Sequence, residues 1–422
     1  MRIQRTRFPN GLTVVSVPLK DRTSAAVGVW IGVGGRDEMA QNNGVSHFIE
    51  HLVFKGTRQR TMRGIKEAVE GKGGSLNAFT AEEATCYFAK IPSRHLMGTL
   101  DVLLDMVTEP AMRPADIEKE RSVVLEEIKM VKDQPSELVE EMLDAIFWKG
   151  NALGRPLTGS EASMKRMSRK DILAYMDRFY APNHVTVVTA GNVDHDAICR
   201  RAARAFRGRV RMPGTLRSSR VERGEAFHVV QKRTEQMHLA MAVPGLSKNH
   251  PDQYVLSVLN VILGGNMSSR LFNEVREQRG LAYEISSGTK RFQGMGAVYI
   301  DAGVDAAKCG EAVKAIFKEC RRLKTTAVGA AELKRAKEFL IGHYVTGLDG
   351  AMEVMLWVGE EVLSADRVRT LSEIEAGIRR VSSLQLRRLA QRLFKDEGLR
   401  CALLGPVDKS GHGRLSRLFT FG

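Results

Sequence analysis

The sequence predicts an α+β protein of two topologically similar α/β sandwich domains, each a mixed sheet with helices packed on it. Segments rich in β-branched residues alternate with amphipathic helical segments along the first half of the 422-residue chain. Residues 207–224 interrupt this pattern with an Arg-, Ser- and Gly-rich stretch, which is typical of a linker. The order of strands and helices then repeats. We therefore predict an N-terminal domain at 1–206, a linker at 207–224 and a C-terminal domain at 225–422.

The composition is that of a globular protein, with 43% hydrophobic and 27% charged residues, and no apolar run is long enough to span a membrane. The basic N-terminus is not followed by an apolar segment, so we predict no secretory signal. The net charge of +15 suggests an acidic partner, but the Lys and Arg residues are scattered and no nucleic-acid motif is present, so no nucleic-acid partner is predicted. The five cysteines form no C-x-x-C pair, which predicts reduced thiols and a cytoplasmic protein.

Two predicted strands open the chain, at 13–18 and 25–33, where β-branched residues partly alternate with others. A glycine-containing segment ends the second strand, and a turn follows it. Asn43 or Ser46 is then the predicted cap of the next helix.

That helix carries the run His47-Phe48-Ile49-Glu50-His51. Histidines four residues apart lie on one face of a helix, so their imidazoles can converge on one cation. Glu50 projects about 100° around the helix from His51, where it can reach a water molecule beside that cation. A hydrolytic zinc site needs two neutral imidazoles, a further ligand, an open position and a carboxylate that accepts a proton, and this H-x-x-E-H order supplies three of these parts. A helix with two incidental histidines remains the alternative for this motif alone.

Two further predicted strands, at 75–80 and 85–91, surround a short turn. The first is a candidate edge strand that can pair with an extended peptide by β-augmentation. An ordinary hairpin is the alternative. The candidate substrate-binding residues are Asn77, Ala78, Phe79 and Thr80.

A helix predicted from Pro114 to about Lys132 is rich in glutamate. Glu120 and Glu127 lie along one face of it, and Glu126 points elsewhere. Acidic helices are usually solvated, so these residues gain a meaning only beside the H-x-x-E-H motif.

Together the motifs resemble the pitrilysin/insulysin family of inverzincin metallopeptidases, and in particular its short members, the mitochondrial processing peptidase beta subunit and bacterial processing-protease-like peptidases. Glu127 lies 76 residues beyond His51, the spacing at which that family places its third zinc ligand. The resemblance implies that His47, His51 and Glu127 bind one Zn²⁺, that Glu50 is the general base and that Glu120 orients a histidine. Glu126 stays the alternative third ligand.

The second half contains a strand at 237–243 and a helix at 251–263, in the order found in the first half, but residues 254–265 hold no His or Glu. This matches the family's second domain, which lacks the metal site. The family then places an Arg and a Tyr seven residues apart, facing the zinc from that domain, as Arg276 and Tyr283 are spaced here. The resemblance implies that Arg276 anchors a substrate backbone carbonyl or carboxylate and that Tyr283 donates to the developing oxyanion. Arg279 is the alternative to Arg276.

The resemblance covers nearly the whole chain and implies a clamshell of two domains that closes on an unfolded peptide or presequence-like segment. The implied activity is that of a zinc-dependent endopeptidase. Short members of the family usually work as dimers, so a homodimer, or a heterodimer with an inactive homologous subunit, is expected. The alternative is a non-catalytic scaffold or partner subunit of the same fold. Such subunits lose zinc ligands, and this sequence retains all of them.

Overall fold

The computed structural model describes residues 2–214, 217–407, 413 and 415–422. Thr215 and Leu216 of the predicted linker, and residues 408–412 and 414 of the predicted C-terminal domain, lie outside the described residues. Packing divides the chain into two units of three segments each. Unit 1 contains 1–129, 155–218 and 346–368, and unit 2 contains 130–154, 219–345 and 369–422.

The described part of unit 1 contains a six-stranded sheet in the order β1-β2-β6-β3-β5-β4. Its strands are β1 (Gln4–Arg7), β2 (Thr13–Pro18), β3 (Ser24–Ile31), β4 (Ser75–Thr80), β5 (Thr85–Pro92) and β6 (Val185–Gly191). Strands β2 and β6 are parallel, and the other neighbours are antiparallel. The sheet is therefore mixed, and β4 lies at its edge, as predicted.

Helices cover both faces of this sheet. They are α1 (Val45–Val53), α2 (Met62–Val69), α3 (Leu96–Thr108), α4 (Pro114–Asp133), α6 (Glu161–Arg166), α7 (Arg169–Phe179), α8 (His195–Ala205) and α12 (Ala351–Ala365). Because successive strand residues point to opposite faces, Val14 joins the core beneath α1 and α3, and Val15 joins the core beneath α12. Burial on both faces explains why the strands are apolar with few polar interruptions.

The described part of unit 2 contains a five-stranded sheet in the order β7-β11-β8-β10-β9. Its strands are β7 (Phe227–Gln231), β8 (Met237–Pro244), β9 (Ala282–Phe292), β10 (Met295–Val304) and β11 (Arg400–Gly405). Its helices are α5 (Pro135–Phe147), α9 (Gln253–Leu263), a π-helix (Phe272–Gln278), α10 (Cys309–Thr325), α11 (Ala330–Gly347), α13 (Leu371–Arg379) and α14 (Ser383–Leu393).

The two sheets share one topology. The parallel pair β7 and β11 corresponds to β2 and β6, and β8, β10 and β9 then follow in the order and directions of β3, β5 and β4. Strand β1 is an addition at one edge of the first sheet. The prediction of two similar α/β domains with mixed sheets is therefore confirmed.

The predicted domain boundaries, with continuous domains at 1–206 and 225–422, differ from the two packing units in two helices. Helix α5 belongs to unit 2 because Val139, Leu143 and Phe147 pack on that unit's sheet. Helix α12 belongs to unit 1, where it covers one face of the first sheet. An amphipathic pattern shows that a helix buries one face but not which sheet it covers, so neither assignment could be predicted from the sequence pattern.

Part of the predicted linker is anchored in unit 1. The Arg217 guanidinium donates two hydrogen bonds to the Asp37 carboxylate, at 2.9 and 2.8 Å, and a third to the Gly32 carbonyl. The Arg217 side chain is 14% exposed, so this arginine is mostly covered by unit 1 and is not a solvated linker residue. None of the helices among the described residues combines the length and the apolar character that crossing a membrane requires.

Candidate metal centre

Helix α1 positions both histidines of the H-x-x-E-H run. The rings of His47 and His51 lie 4.7 Å apart between centroids, with an angle of 65° between their planes. The apolar residues of the same helix are buried, which fixes the helix against the core of unit 1: Phe48, Ile49, Leu52 and Val53.

The start of α1 is held by Glu38, which precedes the helix in the chain. Its carboxylate accepts hydrogen bonds from the Gly44 and Ser46 N–H groups at 2.7 and 2.8 Å, and from Asn43 Nδ2 at 3.1 Å. The predicted caps were wrong, because Gly44 is the N-cap and Ser46 lies inside the first turn. Burial raises the pKa of Glu38 to about 7, and the hydrogen bonds from Ser46, Gly44 and Asn43 oppose that rise.

Glu127 on α4 faces both histidines. Its Oε2 lies 3.8 Å from His47 Nε2, and its Oε1 lies 3.6 Å from His51 Nε2. One ligand atom from each of the three residues lies within 4.8 Å of the other two. The structure therefore brings the three predicted metal ligands together.

This donor set fits zinc. Two imidazole nitrogens and one carboxylate oxygen are the N/O ligands of catalytic zinc sites, and three protein ligands leave a fourth position open. Burial, with a smaller contribution from His51, lowers the pKa of His47 to about 4, so the ring is neutral near pH 7. A neutral imidazole is the form that binds a metal.

Glu126, the alternative ligand, points away from the histidines. Its Oε1 lies 2.7 Å from Lys129 Nζ, one turn further along α4, and its side chain is 68% exposed. The separation of the two neighbouring glutamates follows from the turn of about 100° per residue in an α-helix.

A buried carboxylate lies behind His51. Glu120 Oε2 is 3.3 Å from His51 Nδ1, and Glu120 Oε1 is 2.6 Å from Lys55 Nζ. A bond from Nδ1–H to Glu120 leaves His51 Nε2 free to face Glu127, the arrangement that orients metal-binding histidines. His47 Nδ1, in contrast, is buried without a partner among the described residues. The sequence prediction included Glu120 but missed Lys55, which lies in the turn after α1 ends at Val53 and is therefore not marked by the helical repeat.

Glu50 lies beside the cluster, on the side of strand β4. Its Oε2 accepts a hydrogen bond from Thr80 Oγ1 at 2.6 Å. Burial raises the pKa of Glu50, the Thr80 hydrogen bond and His51 oppose the rise, and Glu127 adds to it. A raised carboxyl pKa makes Glu50 a better proton acceptor near neutral pH.

The predicted substrate residues, Asn77–Thr80, are the last four of the six residues of β4. The strand pairs with β5 on one side, and it ends the sheet on the other within the described chain. The Ala78 N–H donates to Asn77 Oδ1 at 2.8 Å, and the Phe79 ring packs edge-on against Trp30, 5.5 Å between centroids. The edge position that a paired peptide requires is therefore present.

Arg276 and Tyr283 lie together in unit 2. The Arg276 guanidinium is 4.7 Å from the Phe272 ring centroid and 5.6 Å from the Tyr283 ring centroid. Tyr283 is 68% exposed, so it is not a core residue. The alternative, Arg279, approaches Glu311 at 3.8 Å.

Arg276 also lines a cavity of about 330 Å³ within unit 2. The cavity is acidic, with Glu140, Glu284 and Asp301 in its wall. Burial raises the pKa of Asp301 to about 8, with Glu140 adding to the rise. The sequence did not predict this cavity, because Glu140 on α5 is far along the chain from Glu284 and Asp301, which lie on the paired strands β9 and β10.

Two family models match consecutive parts of the chain. Residues 13–161 match the family model described as insulinase (peptidase family M16), and residues 166–340 match the model described as peptidase M16 inactive domain. A crystal structure of a protease from Helicobacter pylori has the same fold, with a TM-score of 0.89 at 22% identity, over 96% of this chain and 100% of that one.

Bacterial and mitochondrial proteins are similar over almost the full length. An uncharacterized zinc protease of Streptomyces coelicolor is 34% identical, over 98% of this chain and 92% of the relative. The uncharacterized zinc protease YmxG of Bacillus subtilis is 35% identical, over 96% and 98%. The mitochondrial-processing peptidase subunit beta of Blastocladiella emersonii is 32% identical, over 96% and 89%. The resemblance predicted from the motifs is thus confirmed: the chain belongs to the insulinase family, peptidase family M16.

Proposed function

We propose that this protein is a zinc-dependent endopeptidase that hydrolyses peptide bonds in unfolded peptides or presequence-like segments. The observation that carries the proposal is the convergence of His47, His51 and Glu127, with Glu50 beside them. The relatives named as zinc proteases and as a processing peptidase subunit support a metallopeptidase role.

The zinc ligands in this proposal are His47, His51 and Glu127. When bound there, zinc supplies a Lewis acid that polarises the scissile carbonyl and makes water more acidic. Glu120 holds the ring of His51 in the orientation that the site needs, and Lys55 balances the charge of the buried Glu120.

Glu50 is the general base of the proposed reaction. Thr80 occupies Oε2, so Oε1 is the atom left to accept a proton from the attacking water. Glu50 then returns this proton to the amine that leaves. The raised pKa of Glu50 suits both steps, because the carboxylate must bind a proton and release it within one turnover.

The peptide is proposed to add to the sheet as a strand along Asn77–Thr80. A carbonyl of the peptide would accept a hydrogen bond from the Ala78 N–H, in place of the Asn77 Oδ1 atom that accepts it now. Arg276 is proposed to hold a carbonyl or carboxylate of the substrate, and Tyr283 to donate to the oxyanion. The stacking of Arg276 on two rings restricts the guanidinium, which lowers the entropy lost on binding.

A dimer, either of two copies or with an inactive homologous subunit, stays part of the proposal, supported by a relative named as a subunit. A cytoplasmic location stays a prediction from the cysteine pattern. Light scattering of the purified protein tests the dimer, and fractionation of the source cells tests the cytoplasmic location.

The test is a metal analysis combined with a cleavage assay on an unstructured peptide library. Wild type should contain one zinc per chain and cleave, and Glu50→Gln should keep the zinc and lose cleavage. Glu127→Gln should lose the zinc, whereas its neighbour variant Glu126→Gln should keep both. A wild type that binds no zinc and cleaves nothing would favour the non-catalytic scaffold instead. The cut sites in the library also give the cleavage preference.

A further inference from the structure

Thr80 joins two parts of the candidate site. It is the last residue of the edge strand β4, and its hydroxyl donates to Glu50 Oε2 at 2.6 Å. This bond links the strand on which the peptide is proposed to pair with the carboxylate that is proposed to accept the proton.

The position of Thr80 is fixed from the side of the hairpin. The turn that follows it is held by the segment after β3, where the Gly35 N–H donates to the Ala81 carbonyl at 3.2 Å. Next to that bond, Arg36 forms an ion pair with Glu83 of the same turn at 2.6 Å, and the two side chains are only 1% and 13% exposed. A buried, hydrogen-bonded ion pair fixes the geometry of the groups that it joins. The end of β4 is thus a rigid support for the Thr80 hydroxyl.

The carboxylate of Glu50 needs such a support. A glutamate side chain has three torsions, and its rotational freedom must be restricted if one oxygen is to meet the reacting atoms. The backbone of Glu50 is set by α1, whose first turn is held by Glu38. The Thr80 hydroxyl then restrains the far end of the Glu50 side chain, at Oε2.

We propose that Thr80 is a positioning residue for the general base: it fixes the Glu50 carboxylate with Oε1 free and places it in register with a peptide paired along β4. The inference rests on the proposed function. It assigns Thr80 a role through Glu50 in addition to any contact with the substrate. Because the hydroxyl and the strand belong to one residue, a shift of the strand moves the base with it.

The experiment compares Thr80→Val, which keeps the shape and removes the hydroxyl, with Thr80→Ser, which keeps the hydroxyl. Thr80→Val should lower kcat about tenfold, the effect of losing one hydrogen bond to a charged group, with little change in KM or zinc content. Thr80→Ser should rescue most of that loss. Thr85→Val is the matched control, because Thr85 is the register partner of Thr80 and its hydroxyl donates to the Val33 carbonyl, away from Glu50. It should leave kcat unchanged.

The proposal is overturned if Thr80→Val keeps the wild-type kcat, if only KM rises, or if Thr80→Ser is as impaired as Thr80→Val. A double-mutant cycle in urea unfolding, with Thr80→Val, Glu50→Ala and the double variant, separates this failure from that of the proposed function. Non-additive effects on stability are expected from the hydrogen bond. If wild type cleaves nothing, the proposed function fails, and the cycle still decides whether Thr80 holds Glu50. Additive effects would overturn the inference in either case.

Discussion

The variant Glu120→Gln tests two effects of Glu120, one on the free energy of unfolding and one on the zinc affinity. The Glu120 side chain is 4% exposed and lies between His51 Nδ1 and Lys55 Nζ, at 3.3 and 2.6 Å. Glutamine keeps the size of the side chain, but its neutral amide oxygen is a weaker acceptor for the His51 Nδ1–H than the carboxylate and so orients the ring less firmly. It carries no charge, so the Lys55 ammonium loses its counter-ion.

Two magnitudes follow. Removing one partner of a buried ion pair costs about 3–5 kcal/mol, but the Lys55 side chain is 26% exposed and regains part of its hydration, so we expect a loss of roughly 2 kcal/mol in the free energy of unfolding. Replacing the group that orients a metal-binding histidine costs about 10- to 100-fold in metal affinity. Urea unfolding of the metal-free protein measures the first effect, and competition for zinc with a fluorescent chelator measures the second.

The double variant Lys55→Met/Glu120→Gln provides the decisive comparison. It removes both charges, so most of the lost stability should return while the zinc affinity stays low. An unchanged zinc affinity in Glu120→Gln would refute the role of Glu120 in orienting His51. A double variant as unstable as the single one would refute the assignment of the stability loss to the unpaired lysine.

Three further predictions concern other groups. The pKa of Asp301 rises from 3.8 to about 8, so the folded protein keeps a proton that the unfolded chain releases above about pH 4. The free energy of unfolding should therefore fall as pH rises from 4 to 8. Urea midpoints of Asp301→Asn, measured across this range, should lack the fall that Asp301 causes. Arg217→Met leaves the carboxylate of Asp37, whose side chain is 0% exposed, without its bidentate partner, which should cost about 3–5 kcal/mol in urea unfolding. The control Arg223→Met, at an exposed position, should cost little. Zinc at about 1,000 times its Kd should stabilise wild type by about 4 kcal/mol in thermal unfolding, and His47→Ala should abolish the effect.

The sequence predicts local elements well where the local signal is complete. The strands at 13–18 and 75–80 were predicted at the bounds that the structure shows, because each segment ends at a turn. The π-helix at 272–278 and the sheet on which α5 packs were not predicted. Both depend on tertiary packing, for which the sequence pattern of a single helix carries no record.

The same distinction applies to the candidate site. The face shared by His47 and His51 follows from the helical repeat. Lys55 lies in the turn after α1 ends at Val53, so the repeat gives no signal for its contact with Glu120. The choice between Glu126 and Glu127 also follows from the period once α4 is known to be a helix. The approach of Glu127 to the histidines has no local signal, because 76 residues separate it from His51. Here the family resemblance supplied what periodicity could not.

The shared topology of the two sheets bears on how function relates to fold. In unit 1 the helix that follows the strand β3 is α1, which carries the metal cluster. In unit 2 the helix that follows the corresponding strand β8 is α9, whose buried residues are all aliphatic. The same sheet frame therefore folds around either helix, and the polar cluster is an addition to a frame that does not depend on it. It follows that Glu127→Gln, a substitution at a side chain that is 35% exposed, should remove zinc with little loss of metal-free stability, in contrast to the buried Glu120.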